Sequence, residues 1–316
     1  MGAMRVVTPG GYTTIQDSGR FGFQHMGVPV SGALDTYAFA MANLLVGNPE
    51  NRPAMELTIV GPSLEIMKEM DISLTGAEMG ITVNGIPAEQ WQPIRVKPGD
   101  CIAIGQARSG CRAYLAFGGG IEVPEIMGSF STYGGGKIGG FDGRPLQKED
   151  ILDIRDAPLL EKKRTMPRNS IPAYPSPAVV RVVPGPQDHY FDIGLQTLFR
   201  SEYMVTAKAD RMGYRLEGNA ISIKNGMPKS ITSEPAMPGS IQIPPDGRPI
   251  VLLVEQTVGG YAKIATIISC DLPMVAQTTP GDTIKFKPID LPAAHRLLRE
   301  EQTRRRAVKK AILVTS

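Results

Sequence analysis

The sequence predicts a mainly β protein with a few helices, built from two similar domains. Glycine (35) and proline (27) make up about a fifth of the 316 residues without any short period, which indicates many turns. The apolar runs are short and rich in Val and Ile, as buried strands are. Two short motifs also recur in the same order in both halves of the chain.

The two halves of the chain repeat two motifs in the same order. RVVTPG at residues 5–10 resembles RVVPG at 181–185, and PGD recurs at 98–100 and 280–282. The similar offsets, about 176 and 182 residues, are what a diverged duplication gives. We therefore expect two like β domains related by a pseudo-twofold axis, with a cleft between them where a small ligand would bind.

The first half predicts short strands around one early helix. Residues 5–7 and 11–15 flank a Pro-Gly turn, and Ser31 is expected to cap a helix from about Ala33 to Val46. Asn84-Gly85 lies between two short apolar runs and predicts a two-residue hairpin. The glycine-rich residues 128–143 predict either a mobile loop or a close approach of backbone to a ligand.

The second half opens with a strand at 180–186 and a helix near His189–Arg200. Two apolar runs, 249–254 and 264–270, are predicted as buried strands, and 292–312 as a basic helix that is solvated or docks on an acidic partner. The expected domain plan is an N-terminal β domain at 1–155, a linker at 156–178, a C-terminal β domain at 179–290 and a basic helical tail at 291–316.

Composition and motifs exclude several classes of function. A net charge of +3 is too small to indicate a nucleic-acid partner, and three cysteines without metal spacing argue against a disulfide framework. We see neither a signal peptide nor an apolar run of about 18 residues, and so expect a reduced cytoplasmic protein without a membrane partner. The three histidines are scattered, GxSxG is absent, and GGGKIGG lacks P-loop spacing, so no metal centre, hydrolase triad or nucleotide loop is predicted.

Lys263 and Asp271 are the first catalytic candidates. Lys263 follows Tyr261 at the start of a strand too apolar to solvate an ammonium, so it would pair with an anion or stabilise a substrate oxyanion. The alternative is a lysine that extends its head into water. Asp271, after the same strand, would orient Lys263 or bind a substrate N–H, or it is simply a turn residue.

Asp35 is the third catalytic candidate. It lies in the first turn of the predicted helix, where the dipole favours an anion, and a structural role is the default. The glycine-rich segment that leads into this helix would instead place Asp35 and Ser31 on a concave edge. Ser31 would then bind substrate.

The remaining candidates are polar residues among or beside the buried strands of the second half. Asp210-Arg211 forms either an internal ion pair or an anion-binding fork. A buried strand tolerates polar groups only if they are hydrogen-bonded, which makes the others site candidates as well. The predicted substrate-binding set is Ser31, Asp210, Arg211, Glu234, Gln242, Gln256 and Tyr261.

Long motifs of the chain resemble a known family. They include TTIQDSGRFGFQHMGVPVSGALD, NLLVGNP, YLAFGGGIEVPEIMGSFSTY, VVPGPQD, DRMGYRLEG, SEPAMPGSIQIPPDGRPIVLL and QTVGGYAKIATIISCDLP, in order between about residues 5 and 288. In these blocks the chain is similar to the biotin-dependent carboxyltransferase family, which includes the C-type subunit of bacterial 5-oxoprolinase, KipA, allophanate hydrolase subunit 2 and the carboxyltransferase domain of urea carboxylase. The departures from its pattern, Phe21, Ser18 and Ala262, remove no polar group, although Ala262 affects the turn that presents Lys263.

The resemblance implies two cyclophilin-like β-barrel domains and a site for a cyclic amide or ureido group. Lys263, Tyr261 and Gln242 would stabilise negative charge on the ureido or amide oxygen. Asp35, Asp210 and Asp271 would hold the amide in line. We expect no covalently bound cofactor, ATP used by the assembled complex, and biotin, where it is used, carried by a partner.

The leading hypothesis from the resemblance is the C-type subunit of an ATP-dependent 5-oxoprolinase, which converts 5-oxo-L-proline to L-glutamate in an interdomain cleft. Its 5-oxoprolinase partners would be a KipI-like B-type subunit and the A-type subunit. Two alternatives stay open. One is a KipA-like regulator that binds a KipI-like kinase inhibitor, and the other is a carboxyltransferase that moves CO2 from carboxybiotin to urea or a related amide.

Overall fold

The structure is a computed structural model that describes residues 2–314. The chain divides into two compact units. The first comprises Met1–Phe21, Ser31–Ala173 and Arg304–Ser316, and the second comprises Gly22–Val30 and Tyr174–Thr303. Residues 156–173 of the expected linker therefore belong to the first unit.

Two antiparallel sheets build the first unit. The strands are β1 (Met4–Thr8), β2 (Tyr12–Gln16), β3 (Ala54–Thr58), β4 (Ser63–Ile66), β5 (Met70–Glu78), β6 (Ile81–Val83), β7 (Ile86–Ala88), β8 (Ile94–Val96), β9 (Cys101–Ile104), β10 (Ser109–Phe117), β11 (Ile121–Glu122) and β12 (Ile151–Ile154). One sheet has the order β11-β12-β1-β4-β9-β6-β7 and the other β2-β3-β10-β5-β8. Apolar side chains of both sheets, such as Val6 and Leu64 from one and Leu57 and Leu115 from the other, form one core.

Helix α1 (Thr36–Leu45) covers the other face of the smaller sheet, where it packs on Tyr114 and Ala116. The expected Ser31 cap is wrong: Asp35 caps this helix, and its Oδ1 accepts the Ala38 N–H at 3.0 Å. Ser31 is followed by Gly32, and both have left-handed φ values of 54° and 82°, so the helix cannot begin there.

A closed barrel forms the second unit. Its strands, in spatial order β13-β20-β17-β18-β15-β14-β21, are antiparallel except for the parallel pair of β13 and β21. The strands of this unit are β13 (Ala178–Pro184), β14 (Glu202–Ala209), β15 (Gly213–Glu217), β16 (Glu234–Pro235), β17 (Ser240–Ile243), β18 (Ile250–Leu252), β19 (Val258–Gly259), β20 (Ala262–Ile267) and β21 (Thr283–Pro288). Strands β16 and β19 pair separately as a two-stranded sheet. The mainly β fold predicted from the sequence is confirmed, and the second unit is a closed barrel of the kind that the family resemblance implies.

The described chain has three further α-helices: α2 (Ile193–Arg200), α3 (Leu272–Ala276) and α4 (Leu291–Val314). The last part of α4 belongs to the first unit, where Val308 and Ile312 join the apolar cluster around α1. Arg304 and Arg305 lie over the Tyr37 ring at 5.2 and 5.5 Å from its centroid. The apolar side of this stretch therefore packs on its own chain, while basic residues such as Arg306 and Lys310 stay exposed, as a solvated basic helix predicts.

The hairpin predicted at Asn84-Gly85 is confirmed, because this pair joins β6 to β7 with positive φ at both residues. The glycine-rich stretch is explained by packing inside the first unit. A Cβ on Gly139 would lie 2.2 Å from the Ser131 carbonyl oxygen and 2.6 Å from Arg20 Nη2. At Gly139 the backbone therefore closely approaches other parts of the protein, and the approach to a ligand expected for residues 128–143 stays a prediction.

Within residues 2–314, none of the helices has both the length and the apolar character that crossing a membrane requires.

Candidate functional site

A row of side chains crosses four neighbouring strands on the outer face of the barrel. Arg215 of β15 lies opposite Ile250 of β18, Ile250 opposite Gln242 of β17, and Gln242 opposite Lys263 of β20. Directly opposed residues in antiparallel strands point to the same side of the sheet. The adjoining row contains Tyr214 and is fully buried, so it fills the barrel interior and the Arg215–Lys263 row faces outward.

A pocket of about 420 Å³ lies over this row, and the second unit alone forms it. Ile250 and Leu252 are nearly buried and, with Ala236, form an apolar cluster beneath it. The rest of the lining is mostly polar and consists of Lys208, Asp210, Met212, Gly213, Arg215, Gln242, Gln256 and Tyr261. An apolar floor with hydrogen-bonding groups around it suits a small polar ring.

Four residues predicted from the sequence meet in this pocket: Asp210, Gln242, Gln256 and Tyr261. The Asp210 carboxylate accepts the N–H groups of Met212 at 2.8 Å and Gly213 at 3.1 Å, which fixes its orientation.

The two amide side chains of the pocket are also held by the chain. Gln256 Nε2 donates to the Val258 carbonyl. Gln242 is 3% exposed, and β19 lies so close that a Cβ on Gly259 would be 2.0 Å from Gln242 Nε2. Both amides are therefore anchored before any ligand arrives.

Lys263 is buried at the end of the row, with 4% of its surface exposed. Its Nζ donates to Glu234 Oε1, and Gln187 Nε2 donates to the same oxygen at 2.9 Å. The Gln187 side-chain oxygen also accepts the Lys263 backbone N–H at 3.0 Å. Hydrogen bonds, first from Lys263 and then from Gln187, lower the pKa of Glu234 below its ordinary value of 4.5.

The turn at Gly185 fixes the position of the cluster formed by Lys263, Glu234 and Gln187. Gly185 contacts β20 so closely that a Cβ there would be 2.2 Å from the Lys263 carbonyl oxygen. The same carbonyl accepts the Gln187 N–H at 3.2 Å. The register between β20 and β17 shifts beside Lys263. Such a shift is typical of a β-bulge, and bulges are common next to functional sites.

Arg211 does not line the pocket but forms a buried ion pair directly behind it. Its Nε donates to Glu255 Oε1 at 2.5 Å, and both side chains are less than one-tenth exposed. The Arg211 carbonyl also accepts the Glu255 N–H at 3.1 Å. Of the two alternatives for this residue, the contacts favour the internal ion pair, here with Glu255, which ties the segment that carries Asp210 to the segment that carries Gln256.

Asp271 is bound elsewhere on the barrel. It accepts the Arg181 backbone N–H at 2.7 Å and the Arg181 Nε at 2.8 Å. Lys263 lies at the opposite end of β20, and four residues of strand span about 13 Å. The contacts of Asp271 therefore favour an anchor for β13, and the structure does not bring it to Lys263.

Asp35 and Ser31 belong to the first unit. Asp35 is 1% exposed, caps α1, and donates its N–H to the Tyr114 hydroxyl at 2.7 Å, which in turn donates to Glu56 at 2.8 Å. Burial, followed by the charges of Glu56 and Asp35, raises the pKa of Tyr114 well above 10.0. Ser31 is 2% exposed, and the structure gives its Oγ no hydrogen-bond partner among the described residues.

Three residues of the candidate site carry no local signal in the sequence: Gln187, Lys208 and Arg215. Gln187 was included in the VVPGPQD motif but carried no separate signal. Lys208 and Arg215 occupy outward positions of β14 and β15, and only the strand register places them at the pocket. Among the described residues, no group of three or more His, Cys, Asp or Glu side chains is placed to hold a metal ion.

Residues 26–288 match the model of the carboxyltransferase domain, subdomains A and B. The chain belongs to this family. The resemblance noted in the sequence is thereby confirmed, and the described pocket and the Lys263 cluster lie inside the matched range.

Relatives of this carboxyltransferase-domain chain fall into two kinds. It is 36% identical over 301 residues to the 5-oxoprolinase subunit designated C of Escherichia coli (strain K12), with 95% of both chains covered. It is 35% identical to urea amidolyase of Lachancea kluyveri, where the match covers 95% of this chain but 18% of the other. The crystal structure of the Kluyveromyces lactis urea carboxylase superposes with a TM-score of 0.91 at 32% identity over 97% of this chain and 29% of that one.

Proposed function

We propose that this chain is the C-type subunit of an ATP-dependent 5-oxoprolinase complex that converts 5-oxo-L-proline to L-glutamate. The supporting comparison is the match over 95% of both lengths to a protein named as a separate subunit of 5-oxoprolinase. In the urea amidolyase the similar region is less than a fifth of a much longer chain. The B-type and A-type partner subunits, and the use of ATP by the assembled complex, are part of the proposal.

The pocket on the barrel is the single structural observation that carries this proposal. A lactam presents a carbonyl oxygen and an N–H side by side on a flat ring. Gln242 and Gln256 offer amide groups and Asp210 a carboxylate to that edge, while the ring carbons rest on the Ile250–Leu252 floor. The site thus combines the hydrogen-bonding and apolar surfaces that a lactam requires.

Lys263 is the proposed electrostatic catalyst. Opening of the lactam adds water to the carbonyl carbon, breaks the ring C–N bond and transfers a proton to the nitrogen, and negative charge develops on the carbonyl oxygen as water adds. Lys263 does not itself line the pocket, and its ammonium, fixed by Glu234 and Gln187, would stabilise that charge from its position next to Gln242. Gln242, its cross-strand neighbour, would hold the ring in place.

Three of the remaining predicted residues receive supporting roles in this proposal. Arg211 fixes the pocket segments through Glu255. Asp271 anchors β13 through Arg181, and Asp35 begins α1. Ser31 is buried in the first unit and is not part of the pocket lining, so it has no role in this proposal.

The test is glutamate release from 5-oxo-L-proline by the chain co-purified with its A-type and B-type partners. We expect ATP-dependent glutamate formation that requires all three proteins and falls sharply in Gln242→Leu. A matched control is Lys285→Met, a polar-to-apolar substitution on β21 outside the pocket. No glutamate with every subunit and ATP present would refute the proposal.

A second candidate, transfer of a carboxyl group to urea, is supported by the close superposition on the urea carboxylase. Urea and the ureido ring of biotin present the same carbonyl and N–H edge as a lactam. Biotin would then be carried by a partner and supply the carboxyl group. The distinguishing measurement is urea-dependent incorporation of labelled bicarbonate in the presence of a biotin carboxylase and a biotin carrier.

A further inference from the structure

Two cations on the pocket rim are not neutralised by the protein. Lys208 and Arg215 both line the pocket and are exposed. In the part of the chain that the structure describes, neither side chain forms a hydrogen bond or ion pair. Other cations on this unit form ion pairs: Arg248 pairs with Glu217, and Lys285 pairs with Glu202.

The charges around the pocket favour an anion beside these cations. Asp210 is the carboxylate in the lining, and its Oδ1 is already held by two backbone N–H groups. The Lys263 ammonium, at the far end of the row, is paired with Glu234. The lining therefore carries two positive charges and one negative charge, and a ligand with one carboxylate balances it.

The positions of the two cations also suit a ligand with two different ends. Arg215 and Gln242 are separated by two strand spacings, about 10 Å between Cα atoms, with Ile250 between them. The Arg215 guanidinium extends inward from one side of the pocket, and the Gln242 amide is fixed on the other side. The apolar floor lies between these two groups. An amide ring that carries a carboxylate would contact all three surfaces.

We propose that Lys208 and Arg215 form a carboxylate subsite that selects amide substrates bearing an anionic group over neutral amides. The inference rests on the proposed function and specifies the substrate class of the same site. In 5-oxo-L-proline the carboxylate is attached to the carbon next to the ring nitrogen. The planar fork of Arg215 matches a carboxylate, and Lys208 adds a second positive charge.

The experiment compares 5-oxo-L-proline with 5-oxo-L-prolinamide, in which a neutral amide replaces the carboxylate. In the three-subunit complex, Arg215→Gln and Lys208→Gln should each raise KM for 5-oxo-L-proline by about tenfold to a hundredfold, the loss of one charge-assisted contact. We expect kcat to change little, since the contact exists in both ground and transition states. The preference for 5-oxo-L-proline over its amide should fall by the same factor, and Arg215→Lys should restore part of it.

Arg248→Gln is the matched control, because Arg248 is an exposed barrel cation outside the pocket, and its KM should equal that of the wild type. Unchanged KM and unchanged preference in the Arg215→Gln/Lys208→Gln double variant would overturn the subsite while the proposed function stands. If the wild-type complex has no turnover, the proposed function fails. Calorimetric binding of the two ligands to the chain then decides the subsite, and a wild type that binds neither, or both equally, overturns it.

Discussion

Replacing Lys263 with methionine tests the proposed chemistry most directly. Methionine keeps most of the length of the lysine side chain and removes the charge. If the ammonium stabilises the developing oxyanion, kcat of the reconstituted complex should fall by about 10²–10³, the usual cost of losing one such donor. KM for 5-oxo-L-proline should change much less, because the pocket residues that bind the ring are untouched.

The same substitution should cost only moderate stability. Lys263 is buried, but the side chain of its partner Glu234 is 40% exposed and can return to water when the lysine is removed. The loss should therefore approach the value of one charged hydrogen bond, about 1.5–3 kcal/mol, and stay below the 3–5 kcal/mol of a fully buried pair. For a unit of this size that corresponds to a Tm decrease of about 3–12 °C.

The assay is glutamate release at saturating 5-oxo-L-proline, run well below the Tm of the variant. Lys285→Met is the control, since Lys285 forms an ion pair with Glu202 on the same barrel with its side chain 44% exposed. It should lose less than about 1 kcal/mol and keep full activity. Full turnover by Lys263→Met in the presence of all subunits would remove this lysine from the mechanism.

Three further predictions concern the supporting structure. Glu234→Gln should lower Tm at neutral pH, and this difference should start to shrink as the pH falls below about 4.5 and vanish below the lowered pKa of Glu234 in the folded protein, because a carboxylate with a lowered pKa stabilises the fold only while it is ionised; a difference that persists in strong acid would contradict this. Glu255→Gln should destabilise the chain by about 3–5 kcal/mol in urea unfolding, since Arg211 would keep a buried charge without its counterion, and a cost below about 1 kcal/mol would show that the pair is solvated. Gly139→Ala should cost about 1–3 kcal/mol more than Gly128→Ala in the same assay, because both have positive φ but only Gly139 faces close neighbours; equal costs would refute the packing explanation.

Local signals in the sequence were sufficient for most of the fold. Asn84-Gly85 fixed a hairpin because both residues tolerate positive φ, and short β-branched runs gave the buried strands of the barrel. The start of α1 was misplaced because Ser31 and Asp35 are both good capping residues. Only the left-handed backbone of Ser31 and Gly32 decides between them.

The site was predicted less completely because it depends on register. Arg215, Gln242, Ile250 and Lys263 come from separate strands, and their alignment follows from hydrogen-bond pairing that no local pattern reveals. The partner of Asp271, Arg181, is 90 residues away in the sequence. Polar residues in apolar runs could be recognised as unusual, but their partners could not be assigned.

The two enzymatic proposals differ in only one part of the pocket. A lactam, urea and a ureido ring all present a carbonyl beside an N–H, so the Gln242–Lys263 end of the row serves any of them equally well. The opposite end differs, because Lys208 and Arg215 gain a partner only from a ligand that carries an anion. Urea alone is neutral and would leave both cations facing solvent, whereas a ureido ring that carries a transferable carboxylate would pair with them as 5-oxo-L-proline does. The ratio of kcat/KM values for 5-oxo-L-proline and its neutral amide therefore tests whether these two residues recognise an anionic ring, and the bicarbonate-incorporation assay distinguishes the two enzymatic proposals.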